Sequence, residues 1–100
     1  MRMYILIKDD IEPGFAVTAA AHGALACYLE FKDDPDMATW LDRSFKKVVC
    51  RVGAKEFESA KAFSDHVVMT ESALEGAETA IVFKPREEWP KPFRFYRLWK

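Results

Sequence analysis

The sequence predicts an α/β fold, three layers built on a four-stranded mixed sheet. Two observations carry this. Short apolar runs rich in β-formers, at residues 3–7, 47–52, 66–70 and 79–84, are separated by segments of helical composition. The stretches after the first and second runs are long enough to hold helices, as parallel neighbours require. Only Glu71 to Ala77 joins the third run to the fourth. So few residues cannot make an ordinary parallel crossover, so at least one strand runs antiparallel.

The first run, Met3 to Ile7, is continuously apolar, which suits a strand buried on both faces. Lys8, Asp9 and Asp10 end it. Pro13 suits the first turn of a helix, where its missing N–H costs nothing. Residues 15–31 read as the longest helix, unusually slim because of Ala16, Ala19, Ala20, Ala21, Gly23, Ala24 and Ala26. Pro35 ends it, and Asp34 or Asp36 suits the cap of a second helix through Met37, Trp40 and Leu41. Gly53 breaks the second strand, and residues 54–64 suit a third helix. The chain of 100 residues holds one domain, 1–100, with room for a single set of elements.

Composition excludes several classes. Half of the residues are hydrophobic and 14% are aromatic, too many for a disordered chain. No apolar run approaches the roughly 18 residues that cross a bilayer. Met1-Arg2-Met3-Tyr4 leads into the first strand with no small-residue cleavage site, so no signal peptide and a cytoplasmic location are expected. Cys27 and Cys50 sit in apolar stretches without ligand spacing, which predicts buried thiols, no disulfide and no metal.

Charge is uneven. Residues 84–100 hold six of the 15 basic residues and two of the 16 acidic ones, leaving nine against 14 in residues 1–83. That basic tail also carries Trp89, Phe93, Phe95, Tyr96 and Trp99. Such a segment either grips RNA through phosphates and stacking or covers the core with its aromatics. The second reading is favoured, with Trp89, Phe93, Phe95 and Trp99 largely buried.

Four residues are candidates for chemistry. Asp10 follows the first strand at the edge where open α/β sheets bind ligands; it suits an acid or base, or the cap of the next helix. His22 lies on the long helix with Thr18, Ala19, Ala26 and Leu29 at helical spacing, and an imidazole suits acid–base chemistry. Thr70 and Glu71 close the third strand and offer a hydroxyl and a carboxylate. Each has a structural reading beside the catalytic one: a helix histidine held within the fold, a polar turn.

Several segments taken together resemble the class II peptidyl-tRNA hydrolase family. A hydrophobic strand followed by Asp10-Ile11 and Gly14 is similar to that family's strand, Asp-Leu, Gly-Lys opening. Ala20-Ala21-His22-Gly23-Ala24 with Tyr28 resembles its Cys-Ala-His-Ala-Ala segment and following tyrosine. Asp34-Pro35-Asp36-Met37, Trp40 and Lys47-Val48-Val49 match its Asn-Pro-Glu-Met, Trp and Lys-Val-Val series, and Phe83-Lys84-Pro85 with Glu87-Glu88 match its closing pieces. The resemblance implies an α/β/α sandwich on a four-stranded mixed sheet and hydrolysis of the peptidyl-tRNA ester. It implies no cofactor, tRNA or peptidyl-tRNA as partner, and a homodimer.

The chain departs from that pattern at informative places. Phe15 stands where the family has lysine, and Ala19 where it has glutamine. Met69-Thr70-Glu71-Ser72-Ala73-Leu74 replaces Asp-Ala-Gly-x-Thr. Two readings follow: a rearranged esterase using Asp10, His22, Thr70 and Glu71, or a non-catalytic relative that uses the fold to bind RNA or a small ligand.

Overall fold

Residues 3–7 form the middle of the sheet because neither face of that run tolerates water. The computed structural model describes residues 1–100 and has an α/β fold. In chain order come β1 (Arg2–Lys8), α1 (Pro13–Phe31), α2 (Pro35–Arg43), β2 (Lys46–Val52), α3 (Ala54–Ala60), β3 (His66–Glu71), β4 (Ala77–Phe83) and β5 (Arg97–Leu98). The sheet order is β3-β4-β1-β2-β5. β1 pairs parallel with β2 and antiparallel with β4.

All five residues from Met3 to Ile7 are buried. Met3, Ile5 and Ile7 join Ala80 and Val82 in a core under α1 and α2, closed by Cys27, Met37 and Trp40. Tyr4 and Leu6 join Cys50, Ile81 and Phe83 in a second core against Phe57, Ala60 and Phe93. Strand alternation thus divides one apolar run between two cores.

Local chemistry sets the helix starts. Pro13 occupies the first turn of α1, as its position predicts. Asp34 caps α2, its Oδ1 accepting from the Asp36 N–H at 2.8 Å. Gly53 begins α3 in extended backbone, and its N–H donates to the Glu56 carboxylate at 2.9 Å. The expectation that Asp10 caps α1 is not met: Glu12 holds the cap position, with no side-chain hydrogen bond.

Three further expectations are corrected. The sheet has five strands, not four, because β5 adds antiparallel to β2. Two residues are too few to carry a periodic signal. β3 does not lie beside β2; it pairs with β4 at the far edge. The short connection closes as a hairpin through Glu75 at φ 58 and Gly76 at φ 79, and β1 takes the other side of β4. Finally, Phe95 is 69% exposed while Phe93 is 2% exposed. The 3-10 turn at Lys91–Arg94 sends Phe93 inward and Phe95 outward. Trp89 and Trp99 are half-buried.

The small residues of α1 have a measurable purpose. A Cβ built on Gly23 would overlap the Val82 side chain and lie 3.3 Å from Met69 Cγ, whereas one on Gly14 meets nothing within 4 Å. The two glycines therefore respond oppositely to alanine. Gly14→Ala should stabilise by up to about 1 kcal/mol through helix propensity. Gly23→Ala should destabilise, because overpacking costs about 1–3 kcal/mol and exceeds that gain. Urea unfolding of both variants checks this; equal midpoints would disprove the close α1–sheet contact.

Candidate functional site

The carboxyl ends of β1 and β2 form the edge where the sequence places Asp10. Asp9 extends the ladder, its N–H donating to Val52 O at 2.8 Å. Asp10 follows, exposed, with no hydrogen bond or ion pair. Arg51 lies beside Ile7 across the β1–β2 pair and in register with Arg97 of β5. Its guanidinium sits 5.0 Å from the Trp99 ring centroid, and its Nε is buried without a partner. The Asp9 carboxylate lies 3.6 Å from Arg97, and no carboxylate pairs with Arg51.

Two arginines in register repel, and a single carboxylate answers one of them. Arg51 therefore keeps an uncompensated positive charge at this edge of the sheet. Sequence reasoning missed Arg51 because it stands inside an apolar strand run, where it reads as a solvated flank. The available signal was its place at the strand's carboxyl end, level with the end of β1.

His22 is exposed on α1 and makes no hydrogen bond. Ala16, Val17 and Ala20 line a groove with Val49 and Trp99. At 3.6 residues per turn, His22 is rotated roughly 160° from Ala20 and lies about 12 Å along the helix from Gly14. The helix body thus separates it from Arg51 and from the α1 start. Thr70 is exposed and pairs with Glu78, whose carboxylate meets Lys61 at 2.6 Å beyond the end of α3. Cross-strand partners share a face, so Thr70 faces away from α1, after a bulge between Met69 and Thr70. The Glu71 carboxylate accepts from the Ala73 N–H at 3.1 Å and caps the turn into β4. The four candidates therefore do not converge on one point.

Elsewhere, Lys84 ties the fold together. Its ammonium lies 3.0 Å from Asp34 Oδ2 and 3.6 Å from Asp36, and its side chain is 11% exposed. Burial alone would lower its pKa; the Asp34 hydrogen bond and the charges of Asp34, Asp36 and Asp65 outweigh that and raise it. The Lys84 hydrogen bond, then that from the Asp36 amide, hold Asp34 below the usual carboxylate range. Cys27 and Cys50 belong to cores on opposite faces of the sheet. Burial pushes their thiols up to about 12 and about 11, which makes them protonated and unreactive at neutral pH. No three His, Cys, Asp or Glu side chains gather as a metal site, and no helix is long and apolar enough to cross a membrane.

A scan against protein-family models finds no match, and a search of curated proteins finds none either.

The Asp34–Lys84 pair predicts a pH dependence at both ends of the scale. Asp34 is more acidic folded than unfolded, so its stabilisation is present above its ordinary pKa of 3.8 and disappears as pH falls through the folded value. Lys84 is more basic folded, so its share is present below 10.5 and disappears as pH rises through the folded value. Lys84→Met should flatten both limbs of a stability–pH profile measured by urea unfolding. Parallel profiles for the two proteins would remove the pair from any role in stability.

Proposed function

We propose that this chain is a class II peptidyl-tRNA hydrolase-like domain, an α/β/α sandwich, that binds tRNA without efficient cleavage of its ester. The observation that carries the binding reading is Arg51, an unanswered guanidinium in register with Arg97 at the carboxyl edge of β1 and β2. Guanidinium groups match phosphate geometry and do not lose their proton. The family placement rests on the resemblance of the segments. Two of them meet in space, since Asp34 of Asp34-Pro35-Asp36-Met37 pairs with Lys84 of Phe83-Lys84-Pro85.

Ester hydrolysis needs a positioned base and an oxyanion stabiliser within reach of one carbonyl. Asp10 and His22 stand apart, Thr70 faces the other way and Glu71 is engaged in a turn. One observation favours the esterase as second reading: Asp10 is unpaired at the same edge as Arg51, so it would activate water while Arg51 stabilises the oxyanion.

Both readings are open to one set of measurements. Affinity for deacylated tRNA should fall with salt, and Arg51→Gln and Arg97→Gln should each reduce the log–log slope by about 1. Unchanged slopes would remove this edge from RNA binding. On a model peptidyl-tRNA, the native chain, His22→Ala and Asp10→Asn should all show background turnover. Robust native turnover abolished in Asp10→Asn would establish the esterase.

The homodimer is part of the same proposal. Val17, Leu25, Leu29, Leu41 and Phe45 are exposed along α1 and α2. Grooves of about 310 and 250 Å³ flank this ridge, so one copy's ridge fits the other's groove about a two-fold axis. The one charge in these linings, Lys47, donates to Phe45 O at 3.0 Å and lies over the Phe45 ring, contacts that replace part of its hydration. Analytical ultracentrifugation should find a dimer that Leu25→Asp converts to monomer. A native chain monomeric at high micromolar concentration would overturn it.

A further inference from the structure

A cleft of about 800 Å³ opens between the β1–β2 face and the C-terminal segment 87–98. It lies on the face of the sheet opposite α1 and shares no residue with the Asp10–Arg51 edge. We propose that this cleft binds a single nucleotide unit, its base against the aromatic wall and its phosphate on Arg2 and Arg94.

The cleft is rich in hydrogen-bond donors that the protein leaves unused. Trp89 Nε1 is buried with no partner. The Tyr4 hydroxyl accepts from Arg2 Nη1 at 3.3 Å, which leaves its own proton to donate. The Tyr96 hydroxyl has no partner in the chain, and burial, then Glu56 and Cys50, push its pKa up, so it stays protonated. A buried donor without an acceptor costs free energy until an acceptor arrives. Ring nitrogens and carbonyls of a base are such acceptors. The indole N–H cannot bond to a saturated apolar ligand.

The wall has the matching shape. Tyr4, Trp89, Phe93 and Tyr96 pack in sequence at centroid separations of 4.7, 4.8 and 5.2 Å, inclined or edge to face, with the buried Tyr4 and Phe93 backing the half-buried Trp89 and Tyr96 that form the wall. Stacking of a base on such a surface contributes about 1–3 kcal/mol. Arg2 and Arg94 line the same cleft and bring the charge that a phosphate requires. Glu87 and Glu88 are exposed at its rim, where sugar hydroxyls or an exocyclic amine would donate to them.

An organic cation is the competing ligand, since aromatic rings beside two carboxylates suit one. The geometry argues against it. Arg2 lies 6.0 Å from the Tyr4 centroid and Arg86 lies 5.6 Å from that of Trp89, and these positive charges repel a second cation from the cleft. The buried unsatisfied group of the cleft is a donor, the Trp89 indole N–H, which an ammonium does not satisfy.

The test reads the Trp89 indole N–H directly in ¹⁵N NMR of the full chain, its peak assigned by its loss in Trp89→Phe. Titrants are adenosine monophosphate, a five-nucleotide single-stranded RNA, inorganic phosphate and tetramethylammonium. The expected result is a saturable shift of the Trp89 peak with the monophosphate or the RNA, with the Trp40 peak unmoved. A response to the monophosphate identifies a free nucleotide as sufficient; a response to RNA alone identifies a nucleotide within a strand. Arg94→Gln, an exposed position, should keep the Trp89 peak and weaken binding roughly tenfold or more. A shift with tetramethylammonium, with phosphate alone, or with none of the four would overturn the proposal. Arg51→Gln should leave the monophosphate shift intact, so failure of the edge as an RNA site remains distinguishable from failure of this cleft.

Discussion

Burial of β1 on both faces is the constraint from which the rest of the molecule follows. A strand with no solvent face must be paired on both edges and covered on both sides. β2 and β4 supply the edges; α1 with α2, and α3 with the C-terminal segment, supply the covers. α3 is only seven residues long, too short to shield one whole face. Phe93 completes that core, and its turn leads into β5. The C-terminal segment is therefore structural before it is anything else. Removing it would open Tyr4, Leu6 and Cys50 to water.

The same constraint fixes how close α1 must come. Its contact with Val82 and Met69 passes through Gly23, where a larger side chain would hold the helix away. The helix thus spends its small residues on the sheet, and its larger ones, Val17, Leu25 and Leu29, remain outside. A slim inner face and an apolar outer face are two results of one sequence. The first is settled within the chain. The second leaves three large apolar side chains in water on the outer face of α1.

What could be read from the sequence was what depends on local periodicity and local chemistry. The four main strands, the long helix, the Pro13 start and the Asp34 cap all lie within a few residues of their causes. The misplaced features depend on distant partners. β5 exists only because β2 has a free edge, and the position of β3 depends on a hairpin whose αL residues are Glu75 and Gly76, of which glycine alone is a familiar signal. Phe95 follows from a turn that assigns inside and outside over two residues. At the site, Asp10 was legible as a residue at the strand edge. Its freedom from capping was not, because Glu12 takes that position without using its side chain. Arg51 was illegible because its meaning comes from Arg97 and Trp99, brought beside it by the chain's end.

Arg51 also bears on what kind of chemistry the edge supports. The resemblance puts Phe15 where the class II peptidyl-tRNA hydrolase pattern has lysine, on the loop-to-helix turn after β1. In this chain the positive charge comes from the sheet below, on a guanidinium held against an indole. A lysine on a flexible stem can change protonation state and follow a reacting group; a stacked guanidinium does neither. It remains charged, keeps a fixed plane and presents paired donors suited to an oxyanion or a phosphate. On the proposed reading, that exchange would move the edge away from proton transfer and toward anion holding. Binding needs a persistent charge in a fixed place, which Arg51 and Trp99 provide. Turnover also needs a base that reaches the same atom, and Asp10, unpaired beyond the end of β1, makes no hydrogen bond or ion pair with Arg51.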